Sequence, residues 1–299
     1  MSYDDRYGYP GRFAITKCLV CDHKSLNTKF TPEEITNLYS NYYPRSACSV
    51  ETYQPHREVR GFKAWLSGEY SHAFRWVPKN VRVLDVGCGF GETLGYHKKR
   101  GCDVYGVEAD ENIRRVADAF NYDVHVGLFD PNIYAKESFD YVTLDQVIEH
   151  VVDPMEIFQG IAQVLKPGGT AIIGTPNSNG WGARLFGRRW ISWHIPYHLQ
   201  FFSRHSMERA ARQNGMELRT VRTVTSSEWL YYQWIHLFTC PEMGTPSTYW
   251  SHKRQKSRRD KIIIALITAF HRTRIDHLVT RFFDMLGIGD NYLFFLVKM

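Results

Sequence analysis

Strand-like and helix-like segments alternate regularly between residues 81 and 176, and this predicts an α/β protein with a doubly wound, mostly parallel sheet and helices on both faces. The β-branched runs at 81–86, 104–107, 124–126, 139–144 and 170–174 supply the strands. Helix-period stretches and glycine turns separate them, as right-handed crossovers require. With 43% hydrophobic and 23% charged residues, the 299-residue chain can bury a core and is neither disordered nor of low complexity.

The elements follow in order. Residues 1–60 read as an N-terminal extension, with a short helix after the Thr31-Pro-Glu-Glu cap signal. Phe62 to Trp76 carries apolar residues along one helical face and ends before Pro78. A helix over 92–100 follows the first strand, and a second over 113–121 follows the next. Helix 155–165 and a Lys-Pro-Gly-Gly turn precede the fifth strand. Asn177 to Gly187 reads as loop, and 188–202 as a lid or pocket wall crowded with aromatics and histidines. Ser203 caps a helix that Gly215 stops, and 218–224 is a strand. Beyond an aromatic-rich 229–250, the basic run 252–261 leads into a long amphipathic helix at 261–286, and Asn291 onward forms a closing antiparallel edge strand. Three regions result: an extension (1–60), a core (61–225) and a C-terminal elaboration (226–299).

The chemistry concentrates at Val83-Leu-Asp-Val-Gly-Cys-Gly-Phe-Gly, where Gly87, Gly89 and Gly91 leave a strand and open a helix. A dinucleotide site wants G-x-G-x-x-G with a helix N-terminus aimed at pyrophosphate. Here the third spacing differs, and the Asp85 carboxylate suits an ammonium group better than a phosphate. The run resembles the first motif of class I S-adenosylmethionine-dependent methyltransferases, which is V-L-D-x-G-C-G-x-G. That resemblance implies a Rossmann-like fold with S-adenosylmethionine as cofactor, glycines under its methionine part, and Asp85 helping to orient the ammonium. Val104-Tyr-Gly-Val-Glu-Ala-Asp resembles the second motif, where Glu108 would take the ribose hydroxyls and Ala109 would follow it in the cofactor wall. Glu108 follows Gly89 by 19 residues, near the ~20 that a strand-turn-helix-strand path needs. Phe139-Asp-Tyr-Val-Thr-Leu-Asp-Gln-Val-Ile-Glu-His-Val resembles a later motif, adding Asp145 and Gln146 to the cofactor residues. Leu165-Lys-Pro-Gly-Gly-Thr matches the turn before the fifth strand. On its own, Glu108 would read as a solvated strand-end charge, Asp145 as a helix cap and Cys88 as turn packing.

Three further constellations carry expectations. Ile148-Glu149-His150 is similar to a segment of ubiquinone-type O-methyltransferases, in which a Glu three residues earlier helps hold a divalent ion; Gln146 stands there, which disfavours magnesium. Trp193-His-Ile-Pro-Tyr-His-Leu resembles a D-x-P-x-H-L segment, with His194 in place of the acid and Tyr197 where Arg is common. His198, then His150 and His194, are the candidate bases for a hydroxyl acceptor, against a structural reading of the same imidazoles. Cys18-x-x-Cys21, with His23, Cys48 and His56 downstream, is half of a zinc clip whose second pair is missing, so zinc is not favoured over free thiols.

The expected activity is methyl transfer to a small-molecule, sugar or lipid-linked acceptor, most naturally at oxygen. One rival is a nucleic-acid methyltransferase using 252–261, but the N/D-P-P-[YFW] motif is absent and the net charge of +6 is modest. Another is a binding protein that keeps the fold without catalysis. No segment approaches the ~20 apolar residues of a membrane span. The acidic N-terminus and sparse cysteines point to the cytoplasm, with 258–286 as a basic amphipathic stretch suited to a membrane surface.

Overall fold

A computed structural model describes residues 1–44 and 49–299. A small antiparallel unit begins the chain, with β1 (Ile15–Lys17) paired to β2 (Lys24–Leu26). Helix α1 (Pro32–Asn37) starts where expected: Thr31 Oγ1 accepts from Glu34 N at 3.2 Å, and Glu34 returns the bond to Thr31 N at 2.8 Å. The helix expected over 62–76 is shorter. Helix α2 (Gly61–Ser67) stops at Gly68, whose left-handed φ of 74° turns the chain, and 3₁₀ turns carry it to Trp76.

The core follows as β3 (Arg82–Val86), α3 (Glu92–Lys98), β4 (Asp103–Glu108), α4 (Ile113–Phe120), β5 (Asp123–Val126), β6 (Phe139–Asp145), α5 (Pro154–Val164) and β7 (Leu165–Pro176). The stretch expected as loop after Pro176 contains α6 (Trp181–Phe186), because the Asp290 carboxylate accepts from Gly182 N at 2.8 Å and anchors its first turn. Next come β8 (Gln200–Phe201), α7 (Arg204–Gln213), β9 (Met216–Thr223), α8 (Ser227–Thr239), α9 (Arg258–Arg272), α10 (Ile275–Met285) and β10 (Asn291–Lys298). Ser203 caps α7 as its sequence implies.

Seven strands form the central sheet in the order β5-β4-β3-β6-β7-β10-β9, with β3 to β7 mutually parallel. The closing strand is antiparallel as expected, yet it lies between β7 and β9 and leaves β9 at the edge. Leu293, Phe294 and Leu296 are fully buried, and an edge position would leave one flank of these residues in water. β8 pairs with β2, which ties the N-terminal unit to the segment after the fifth core strand. The long amphipathic helix is two helices, broken at Arg274, which adopts a left-handed φ of 62°. None of the described helices is long and apolar enough to cross a membrane.

Candidate functional site

The C-terminal end of β3 turns through Gly87, Gly89 and Gly91 at φ of 79°, 56° and 84°. At Gly87 the need for glycine is steric as well, since a Cβ there would lie 2.3 Å from Val147 Cγ2. A Cβ at Gly89 would meet nothing within 4 Å, so open space lies directly above the turn. Glu108, at the end of β4, braces the same turn: Oε2 accepts from Gly89 N and Oε1 from Asp110 N, both at 2.9 Å. Each of these oxygens keeps a second lone pair, which is what a ribose diol needs. Exposed Ala109 continues the wall beside Glu108.

Asp85 sits behind the turn rather than in it. It is 3% exposed, accepting from Thr143 Oγ1 at 2.6 Å and from Thr93 Oγ1. Burial pushes its carboxyl up to about 6, against the two hydroxyl bonds. Its part is to tie β3 to β6 and to the first turn of α3, so any effect on an ammonium passes through the turn it holds. Thr143 and Thr93 do not stand out in the sequence; the β3–β6 register sets Thr143 opposite Asp85, and the first turn of α3 brings Thr93 onto its other oxygen. Cys88 is buried and packs, as its place in the turn suggested.

Asp145, at the end of β6, accepts from Ala73 N and pairs with His72 Nδ1, both at 3.1 Å, while its Oδ1 is buried without a partner. Gln146 takes a left-handed φ of 59°, and its amide donates to Asn291 Oδ1 at 2.9 Å. It is therefore engaged with β10. The residues of this edge fit S-adenosylmethionine: a side-chain-free turn with open space above it, and the Glu108 carboxylate at the strand end for the ribose.

The three histidines do come together. The His150 and His198 rings lie 4.6 Å apart, and those of His194 and His198 lie 4.9 Å apart. His150 Nδ1 bonds the Tyr197 carbonyl at 3.1 Å, and His198 Nδ1 bonds the Ser192 carbonyl at 2.8 Å. A carbonyl only accepts, so each Nδ1 carries the proton and each Nε2 offers its lone pair. Their pKa values depart from the 6.5 expected of free imidazoles. Burial lowers His150 to about 4 and holds His194 and His198 far below the usual range, with Arg6 and the neighbouring imidazoles adding to it. Glu149, fully buried beside them, is driven the other way by burial, up to about 8, although Thr175 Oγ1 donates to it at 3.1 Å. The result is neutral imidazoles next to a carboxylic acid. Tyr197 takes no part as a base: its phenol reaches Asp4 at 3.5 Å, and burial raises its pKa further.

Tyr7, Tyr39 and Tyr43 of the N-terminal extension surround this cluster, with Tyr7 and Tyr43 packing against His194 and the Tyr39 hydroxyl 3.3 Å from His150 Nδ1. The extension is thus a wall of the site, which its irregular sequence did not reveal.

Cys18 is exposed and Cys21 half-buried; backbone N–H groups of Cys21 and Val20 lower the Cys18 thiol pKa. Among the described residues no third metal-ligating side chain joins them. His23 Nε2 instead bonds Gln200 Oε1 at 2.8 Å, His56 stacks on Phe74, and Cys48 lies outside the described residues.

Comparison with known proteins bears on the fold and the family. The ubiquinone biosynthesis O-methyltransferase of Azoarcus sp. (strain BH72) is 27% identical over 215 residues, covering 67% of this chain and 89% of that protein. The protein of the same name from Cupriavidus pinatubonensis is 29% identical over 157 residues, and the match spans 48% of this chain and 63% of that protein's length. Among solved structures, the Haemonchus contortus phosphoethanolamine N-methyltransferase 2 in complex with S-adenosyl-L-methionine shares the fold, with a TM-score of 0.51 at 19% identity over 88% of this chain and 59% of that one. The family model described as "Methyltransferase domain" matches residues 53–221, more than half of the sequence and the whole glycine-turn edge, and the chain belongs to that family of class I S-adenosylmethionine-dependent methyltransferases.

Proposed function

We propose that the chain transfers a methyl group from S-adenosylmethionine to an oxygen of a small-molecule, sugar or lipid-linked acceptor. The observation that carries this reading is the turn at Gly87–Gly91 braced by Glu108 and open above Gly89. The bound cofactor supplies an electrophilic methyl on a sulfonium. The chain aligns the acceptor with it and keeps water out. His198, with Nδ1 fixed on Ser192, presents Nε2 to take the acceptor's proton, and His150 stands next to it. Relatives named as O-methyltransferases favour oxygen as the acceptor atom.

Calorimetric titration with S-adenosylmethionine tests the cradle. Glu108→Ala removes the brace, and Asp85→Ala leaves two hydroxyls unpaired behind the turn, so each should weaken binding by about 1–3 kcal/mol. Unchanged affinity in both variants removes the assignment. Mass spectrometry of host small molecules, glycans and lipids, with and without the protein and a labelled methyl donor, would identify the acceptor.

The same proposal places the protein in the cytoplasm, peripheral to a membrane. Ile262, Leu266 and Phe270 form an exposed stripe at i, i+4, i+8 on α9, and Leu278, Phe282 and Met285 form one on α10. Arg258, Arg259, Arg272 and Arg274 flank these stripes, the pairing of apolar face and cations that an anionic bilayer attracts. Cosedimentation should be at least ~10-fold stronger with phosphatidylglycerol vesicles than with phosphatidylcholine vesicles, and Leu266→Glu with Phe282→Glu should abolish it. Equal recovery with both lipids, or binding that survives the two changes, would refute the contact.

A further inference from the structure

The break between α9 and α10 assembles a second polar cluster, far along the chain from the cofactor motifs. Arg274 reverses the chain, and the last turn of α9 therefore lies over the first turn of α10. His271 Nδ1 contacts Asp276 Oδ2, while His277 Nε2 lies 3.8 Å from Asp276 Oδ1. The two imidazoles stack with centroids 5.0 Å apart, and one ligand atom from each of the three residues falls within 4.8 Å of the others. Asp276 is 1% exposed, and a carboxylate so enclosed demands a cationic or proton-sharing partner.

His271 and His277 also line a cavity of about 380 Å³, whose wall includes His56, His72, Glu69 and Glu228. His72 is the residue that pairs with Asp145, so the cavity adjoins the cofactor edge of the sheet. Nothing in the methyl-transfer reading uses this cluster.

The geometry points to a zinc site formed by His271, Asp276 and His277, with its fourth position open to the cavity. Two nitrogens and one carboxylate oxygen match zinc, which takes four N, O or S ligands, whereas magnesium and calcium want all-oxygen shells. The ion would replace the proton shared by His271 and Asp276, and that proton would leave to solvent. A water, or an oxygen donor on a ligand in the cavity, would complete the tetrahedron. This inference stands whether or not the methyl acceptor has been identified, because the metal alone is the probe.

The full chain, stripped with chelator and exchanged into metal-free buffer at neutral pH, is titrated with zinc chloride in a calorimeter. One zinc per chain is expected, with His271→Ala and Asp276→Asn each weakening that event at least ~10-fold. Circular dichroism checks folding. His271, at a helix end and partly exposed, keeps the test informative if the Asp276 variant is unstable. The double change Cys18→Ser with Cys21→Ser and the single change His236→Ala should leave the event intact; His236 belongs to another cluster, with Asp5 and Cys240. Absence of a stoichiometric event, or one lost only with the cysteines or His236, overturns the site. Unchanged S-adenosylmethionine affinity in His271→Ala separates this result from any failure of the cofactor assignment.

Discussion

Replacing His198 by Gln should lower turnover by roughly 10²–10⁴ while leaving S-adenosylmethionine affinity nearly unchanged, because the amide keeps the bond to Ser192 and loses the proton acceptor. The pH profile separates a base from a packing residue. A base works in its unprotonated form, and burial keeps His198 far below the usual imidazole range and His150 near 4. The ratio of native to His198→Gln turnover should therefore stay level as pH falls from about 7.5 to 5, where an ordinary imidazole would lose most of its base form; the ratio cancels the titration of Asp85, whose carboxyl burial raises to about 6. Normal turnover in His198→Gln would make the residue structural, and a fall in that ratio near pH 6.5 would show that His198 titrates as an open imidazole in the working enzyme.

Arg281→Met should destabilise the chain by about 3–5 kcal/mol, read from urea unfolding at pH 7.5, because it strands a buried carboxylate. Arg281 is 3% exposed, pairs with Asp284 at 2.7 Å, and donates to the carbonyls of Trp65 and Thr225. One guanidinium thus joins α10 to α2 and to the end of β9. Burial already raises Asp284 to about 6 even with the arginine present. Without the arginine that value rises further, so the variant's native state takes up its proton at higher pH than the native protein does; the deficit should shrink as pH falls toward 6 and level off below it, where Asp284 is protonated in both folded forms. A loss under about 1 kcal/mol would mean that the pair is matched by solvent and is not what fixes the two helices.

Legibility followed the range of the interactions. The glycine turn, Asp85 and Glu108 could be read because each is dictated by neighbours in the chain: a strand that must end, a turn that tolerates no side chain at Gly87, and a carboxylate at the next strand's end. The caps at Thr31 and Ser203 are equally local. By contrast, the single helix expected at 261–286 failed at one residue: an amphipathic period continues on paper through Arg274, but that residue adopts a left-handed φ of 62° and divides the stretch into α9 and α10.

The alternating core, the glycine turn and the family were legible in the chain alone, because strand period, helix period and turn chemistry are written in contiguous residues. Tertiary structure decided the rest: that the last strand enters between β7 and β9, that Asp85 works from behind the turn through Thr143 and Thr93, and that the N-terminal tyrosines wall in His150, His194 and His198. It also decided that His271 meets Asp276 and His277 across a helix break. The physical reason is the same in each case. A protonation state or a ligand set depends on burial and on charges brought together from distant parts of the chain, and no window of sequence contains that sum.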